Sequence, residues 1–269
     1  MTTEPTYTPT TRPSPAAAYP LSLAGRVALV VGGTGGIGAA TCHMLTASGA
    51  NVVLTHRDTP GGVTAASALV EAIGSGKAAA VPADVADTAS LLRLRDHVEA
   101  LHGRLDILVN AAGFTRPVPH QNLDALTDEL IDSMFQVNWR GQFAAIRTFA
   151  PLLRASGNGL VVSVSSIAGS TGVGSSIAYC AVKAGIDAMT KSLARALAPS
   201  IRVLAVSPGV VDTGFVPGRS PSFNEKVSAS TPLERVATPD DVAAAIVACA
   251  TMLGFSTGHT ILVDGGRAL

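Results

Sequence analysis

The sequence predicts an α/β fold, a doubly wound parallel sheet of about seven strands with helices on both faces. Three observations lead there. Short apolar runs alternate with amphipathic stretches, as in RVALVV at 26–31, LDILVN at 105–110 and VVSVS at 161–165. The first run turns through Gly32-Gly33-Thr34-Gly35-Gly36-Ile37-Gly38 directly into helical sequence. The polar and small residues that stand out follow the apolar runs, and open α/β sheets bind ligands at the carboxyl ends of their strands.

A chain of 269 residues suits one large domain. Hydrophobic residues are 47% and aromatic ones 4%, so the core is built from Ala, Val, Leu and Ile. A formal net charge of zero without a basic block argues against nucleic acid or an anionic membrane as the main partner. Cys42, Cys180 and Cys249 lack metal-ligand spacing and read as reduced, buried small side chains of a cytoplasmic protein, so no metal is expected. Residues 1–20, rich in Thr and Pro, are expected to be a disordered tail ahead of a domain at 21–269. The longest later apolar run, 242–255, is too short to span a bilayer and reads as a buried helix.

Taken in order, the strand at 26–31 feeds a helix over 36–48. A strand that turns through glycines into a helix presents backbone N–H groups and a positive dipole end to an anion. Gly32, Gly35, Gly36 and Gly38, with Thr34 and Ile37 between them, are therefore candidates to hold a pyrophosphate, as in a Rossmann-type fold. The second strand, 51–55, ends at His56-Arg57. An acidic residue there would bind ribose hydroxyls, whereas Arg57 suits a 2′-phosphate; a solvated surface charge is the competing reading.

The third strand, 77–82, ends near Asp84-Val85, and 88–101 is an amphipathic helix; Asp84 can equally be a cap or turn residue. The strand at 105–110 delivers Asn110 and then Ala111-Ala112-Gly113, small enough for close approach of a ligand. After a connection at 114–122, helical sequence runs over 123–155 with an irregularity near Asn138, which is either a core hydrogen-bonding residue or part of a proton relay.

The strand at 161–165 ends at Ser166, and a Gly/Ser-rich loop leads to a helix with Tyr179 and Lys183 four residues apart, on one face. An ammonium near a phenol favours phenolate, so Tyr179 can exchange a proton with a carbonyl or alcohol, and Ser166 can bond the same oxygen. Such a pair is common on ordinary helices, and its position after a strand end is what distinguishes it. A strand at 201–206 leads to Pro208-Gly209, Val211 and Thr213, followed by a lid over 213–235, a helix over 239–252 and a last strand at 260–263.

As an ordered set, VGGTGGIG at 31–38, DV at 84–85, NAAG at 110–113, Asn138, Ser166, Tyr179-x-x-x-Lys183, PGVVDT at 208–213 and VDGG at 263–266 resemble the short-chain dehydrogenase/reductase family. The resemblance implies a catalytic tetrad of Asn138, Ser166, Tyr179 and Lys183, and a nicotinamide dinucleotide touching Asp84, Val85, Asn110 to Gly113, Pro208, Gly209, Val211 and Thr213. It further implies that Tyr179 and Lys183 face the cofactor, that Asn138 anchors a relay water, and that homotetramers form through two long central helices. With His56 in place of an acid and Arg57 following it, NADP(H) is expected over NAD(H). The expected substrate is a small carbonyl compound or alcohol. The alternatives are a 3-oxoacyl-carrier-protein reductase, which the absence of basic residues at 157–158 and 199–200 weakens, and a non-catalytic dinucleotide sensor. Two positions depart from the family pattern: Val31 lacks the hydroxyl that usually ties the glycine turn to the sheet, and Ala111 replaces a second Asn.

Overall fold

Seven parallel strands form one sheet in the order β3-β2-β1-β4-β5-β6-β7. They are β1 (Val27–Val31), β2 (Asn51–His56), β3 (Ala78–Pro82), β4 (Ile107–Asn110), β5 (Gly159–Val164), β6 (Ile201–Pro208) and β7 (Thr260–Val263). This computed structural model describes residues 21–218 and 221–269, so the expected tail at 1–20 lies outside the described residues.

Side chains of one strand alternate between faces, and each face here meets its own helices. Ala28 and Val30 of β1 pack with Cys42 and Leu45 of α1 (Gly36–Ala47), Leu69 of α2 (Pro60–Ile73) and Ile246 of α9 (Pro239–Thr251). Leu29 and Val31 pack on the other side with Leu94 of α3 (Thr88–His102) and Phe149 of α5 (Gly141–Ala155). Leu197 of α7 (Ile177–Leu197) belongs to that second layer. The expected doubly wound sheet is thus present, and all three cysteines are free and buried.

The stretch at 123–155 is not one helix. A 3₁₀ turn (Leu123–Ala125) precedes α4 (Asp128–Met134), and a π-helical turn (Phe135–Arg140) separates α4 from α5. The irregularity falls at Asn138, as the sequence indicates. The amide of Asn138, fully buried, accepts from Phe114 N (2.8 Å) and donates to Phe114 O (3.0 Å) and Met134 O (3.0 Å).

Three helices went unread in the sequence. α2 begins with Thr59 capping Gly62 N–H and Pro60 in the first turn, a legible start signal ahead of a weakly patterned, Ala- and Gly-rich run. α6 (Ala168–Thr171) sits inside the loop after β5, and α8 (Pro221–Ala229) inside the stretch read as a lid.

Strand order reverses between β1 and β4, since the chain moves outward to β3 before returning to pair β4 with β1. In such sheets the crevice at the reversal is where ligands bind.

Candidate active site

A cleft of about 1610 Å³ crosses the carboxyl edge of the sheet, from Arg57 and Gly62 past Gly32 and Asn110's neighbours Ala111 and Ala112 to Tyr179, Phe215 and Arg267. Small-molecule pockets usually measure about 300–1,000 Å³, so this one has room for a dinucleotide and a substrate together.

Its floor is the turn between β1 and α1. Gly32 has φ of +82°, and a Cβ there would lie 2.6 Å from Ala112 N. A Cβ on Gly38 would lie 2.9 Å from the Gly33 Cα. Close packing of strand, turn and helix therefore demands glycine at both positions. The N-cap of α1 is Gly35, which offers no side-chain cap. The first N–H groups of that helix are left facing the cleft for an acceptor from elsewhere. This uncapped, Cβ-free cradle fits a pyrophosphate.

Val31 removes one tether of this turn, and the neighbouring strand supplies another. Thr55 Oγ1 accepts from Gly32 N (2.9 Å), and the Thr55 carbonyl accepts from Gly33 N (3.0 Å). These two bonds tie the glycine turn to β2.

At the adenosine end, His56 is buried, and its Nδ1 donates to the Arg57 carbonyl (2.9 Å). Arg57 is exposed, lines the cleft, and forms no ion pair among the described residues. Asp84 also lines the cleft; its Oδ1 accepts from Ala86 N (2.8 Å), so it closes a turn, while Asp87 is the N-cap of α3. Val85, Gly113, Pro208, Gly209, Val211 and Thr213 line the same cleft. Asn110 does not. It is buried behind Ala111, donates weakly to Ser163 Oγ (3.5 Å), and its Oδ1 has no partner.

Beyond the end of β5 the sequence builds the corner that carries Ser166, Tyr179 and Lys183 locally. Ser176, fully buried, caps α7 by accepting from Tyr179 N (3.2 Å), which sets Tyr179 in the first turn of the helix. A Cβ on Gly169 would lie 2.6 Å from Ala184 N, so only glycine lets α6 press on α7 at that level. Ser166 Oγ accepts from Ala168 N (3.2 Å), which leaves its proton to donate into the cleft.

Lys183, 5% exposed, directs Nζ to the carbonyl of Val164 (2.7 Å), the last residue of β5. The same nitrogen lies 5.5 Å from the Tyr179 ring centroid. Burial pulls the Lys183 pKa down to about 8, against the weaker opposing pull of Asp187. Phe215 approaches Tyr179 from the opposite wall, with ring centroids 6.1 Å apart. Tyr179, Lys183 and Ser166 thus share the cleft, whereas the Asn138 amide is spent on the backbone that follows β4. Both amide protons of Asn138 are used, so its side chain has none to give a relay water.

Thr55 and Arg267 are among the cleft residues that escaped the sequence reading. Their partners, Gly32 and Ser230, lie far away in sequence, and no local spacing marks either. Among the described residues no group of acidic, His or Cys side chains could hold a metal, and no helix is long and apolar enough to cross a membrane.

A family model described as enoyl-(acyl carrier protein) reductase matches residues 32–268. The chain is 40% identical over 246 residues to a protein of Streptomyces violaceoruber described as ketoacyl reductase 2 of the granaticin polyketide synthase, covering 90% of this chain and 96% of that one. It is 37% identical to the cis-4-hydroxycyclohexanecarboxylate dehydrogenase of Sinomonas cyclohexanicum (91% and 97% covered). It is 31% identical to the 3-oxoacyl-[acyl-carrier-protein] reductase of Aquifex aeolicus (91% and 98% covered). The crystal structure of a protein from Burkholderia xenovorans described as a short-chain dehydrogenase/reductase superposes with a TM-score of 0.84 at 35% identity, covering 90% of this chain and 97% of that one. With the glycine cradle, the switch-point cleft and these relatives in agreement, the chain belongs to the short-chain dehydrogenase/reductase family, whose members are NAD(P)(H)-dependent oxidoreductases of ketones and alcohols.

Proposed function

We propose that this chain interconverts a small-molecule ketone and secondary alcohol with NADP(H) preferred over NAD(H), and that Tyr179 is its general acid and base. The observation that carries the reading is Lys183, buried 5.5 Å from the Tyr179 ring centroid at the end of β5, in one cleft with the glycine cradle.

When bound, the nicotinamide supplies or accepts the hydride. Tyr179 gives its phenolic proton to the substrate oxygen in reduction and takes it back in oxidation. Ser166 donates to the same oxygen and stabilises the negative charge that grows on it. The ammonium of Lys183 stabilises charge on the phenol oxygen as the proton leaves. The side-chain amide of Asn138 fastens the main chain of Phe114, a residue of the cleft wall, and so acts as a positioning group.

The cradle over Gly32 to Gly38 would hold the pyrophosphate, and Asp84, Val85 and Ala111 to Gly113 would flank the adenosine and ribose. Pro208 to Thr213 would cover the nicotinamide. Arg57 would grip the 2′-phosphate, and one charge-assisted contact corresponds to a preference of about tenfold or more. A cytoplasmic homotetramer built through α5 and α7 completes the reading.

A small molecule is favoured over a carrier-bound thioester. Near the ends of α5 and α7, Arg202 spends Nη1 on the carbonyls of Cys249 (3.1 Å) and Leu253 (3.0 Å), and with no basic residue at 157–158 or 199–200 an acidic carrier would meet only the exposed Arg154 and Arg195 there.

The test is a panel of free ketones and one carrier-bound 3-oxoacyl thioester, each followed at the nicotinamide absorbance with NADPH and NADH. Turnover of free ketones with at least tenfold higher kcat/KM for NADPH, reduced to near parity by Arg57→Ala, is expected. Equal efficiency with both cofactors, or a preference untouched by the substitution, removes Arg57 from the account. Reduction of the thioester alone selects the carrier-protein reading.

A further inference from the structure

Past Tyr179 the cleft walls are largely apolar, with Phe114, Pro117, Val173, Phe215 and Val216 among them. Among the described residues one cation, Arg267, interrupts that surface. Arg267 follows β7 and lines the cleft together with Ser230 of the segment after α8.

Its placement is built rather than incidental. Gly265 and Gly266 both have positive φ (+64° and +85°), and the Asp264 carboxylate accepts from Gly266 N (3.0 Å) and Ala268 N (2.8 Å). The Gly265 carbonyl accepts from Leu233 N (3.2 Å), and a Cβ on Gly266 would lie 2.9 Å from Pro232. This turn is therefore pressed onto the segment after α8, with its carboxylate consumed by its own backbone.

Arg267 Nη1 donates to Ser230 Oγ (2.9 Å), with longer contacts to Val227 O (3.4 Å) and Thr231 Oγ1 (3.5 Å). Among the described residues no carboxylate pairs with it, and Nε and Nη2 have no hydrogen-bond partner. A guanidinium held on one nitrogen, with the others unused, presents a fork suited to a carboxylate.

The sheet order says which ligand it can reach. Strands lie about 4.8 Å apart, so Arg267 after β7 is about 10 Å along the sheet from the end of β5, where Ser166 sits. It is four spacings, about 19 Å, from the end of β1 and its glycine cradle. By strand order it thus stands nearer to the end of β5, with Ser166, than to the glycine cradle.

We infer that Arg267 selects substrates that carry a carboxylate several bonds from the reacting carbonyl or alcohol carbon. Tyr179 and Ser166 hold the reacting oxygen while the Arg267 fork takes the acid group across the apolar space between them. This deepens the ketone–alcohol reading above and rests on it. No new chemical step is involved: the contact orients the substrate and excludes those without an anion.

The probe is 6-oxoheptanoate against its methyl ester, which keeps the ketone and the chain length and removes the charge. For the wild type with NADPH, kcat/KM for the acid is expected to exceed that for the ester by about tenfold or more. In Arg267→Met the acid should lose at least tenfold more than the ester, chiefly through KM, and Arg267→Lys should recover part of the difference. A wild type indifferent to the charge, or an acid preference that survives Arg267→Met, overturns the inference. Equal losses for acid and ester overturn it too, because they show only a latch on α8. Calorimetric binding of both probes to the protein saturated with oxidised NADP separates this inference from the reaction itself. If neither ketone is turned over, the hydride-transfer reading has failed, yet tighter binding of the acid that vanishes in Arg267→Met still supports the anion contact. No difference in binding overturns it.

Discussion

At the amino end of the sheet Asp106, 1% exposed, accepts from Arg104 through two nitrogens (2.9 and 2.7 Å), from Arg26 (2.7 Å) and from Val27 N (2.9 Å). At the carboxyl end Lys183 is as deeply buried, yet its hydrogen-bond partner is one backbone carbonyl. Burial works to raise the Asp106 pKa, and the Arg104 and Arg26 bonds with the Val27 N–H overcome it and hold the group below the usual carboxylate range. Burial lowers the Lys183 pKa to about 8, and nothing of equal weight answers it. The Asn110 Oδ1 atom, without a partner, lies at the same carboxyl end. Buried charge that is fully bonded stabilises a fold, and buried charge left short of partners is held there at a cost in stability. The contrast separates a structural end from the end proposed above to be the reactive one.

The sharpest way to break that division is Tyr179→Phe. It removes one proton-bearing oxygen from the reactive end, and kcat should fall by about 10²–10⁴-fold. Cofactor binding and the thermal midpoint should change little. A variant that keeps wild-type kcat defeats the assignment, and one that loses its melting midpoint shows that this end also carries stability.

Asp106→Ala is the converse. It leaves the buried Val27 N–H without its acceptor and frees two arginines that are 36% and 44% exposed, and chemical denaturation should show a loss of about 2–3 kcal/mol. Activity per folded molecule should be retained. If activity falls while stability holds, the two ends are coupled through β1 and β4.

A smaller effect concerns pH. The folded-state pKa of Lys183 lies below its unfolded value, so between about 8 and 10.5 the unfolded chain binds the extra proton. Stability should therefore rise as pH climbs through that window, by about 3 kcal/mol at most, and the cost should be fully present below pH 8. Lys183→Met should flatten that rise. Asp106 has a dependence of the same sign in a lower window: its stabilisation is present above the ordinary carboxylate pKa and is lost as pH falls through its depressed folded value. Denaturation curves collected from pH 7 to 10.5 decide the matter, and a wild-type profile already parallel to Lys183→Met would show that the lysine is not strained.

What was legible in the chain was whatever depends on near neighbours. Tyr179 and Lys183 share a helix face because they are four apart, the glycines of the β1–α1 turn announce backbone that tolerates no Cβ, and the polar Asn138 in an apolar run marks the π-helical turn. The parallel sheet followed from the alternation of strands and helices. α2 and α8 were missed because small or polar residues blur their apolar stripes, although Thr59-Pro60 announces the first of them.

The tertiary structure alone decided the remaining points, and in each the partners are far apart in sequence. Thr55 replaces the tether that Val31 lacks because β2 lies beside β1 in register, with Val30 opposite Leu54. The Asn138 amide is occupied by Phe114, 24 residues away. Arg267 joins the reactive cleft because β7 pairs with β6 and a double-glycine turn packs on the segment after α8. Sequence by itself determined the fold and the placing of Tyr179 and Lys183 on one helix face, since both are written in spacings along the chain. Which charges are answered and which are left available was decided by strand adjacency, because a hydrogen bond across the sheet has no local spacing to betray it.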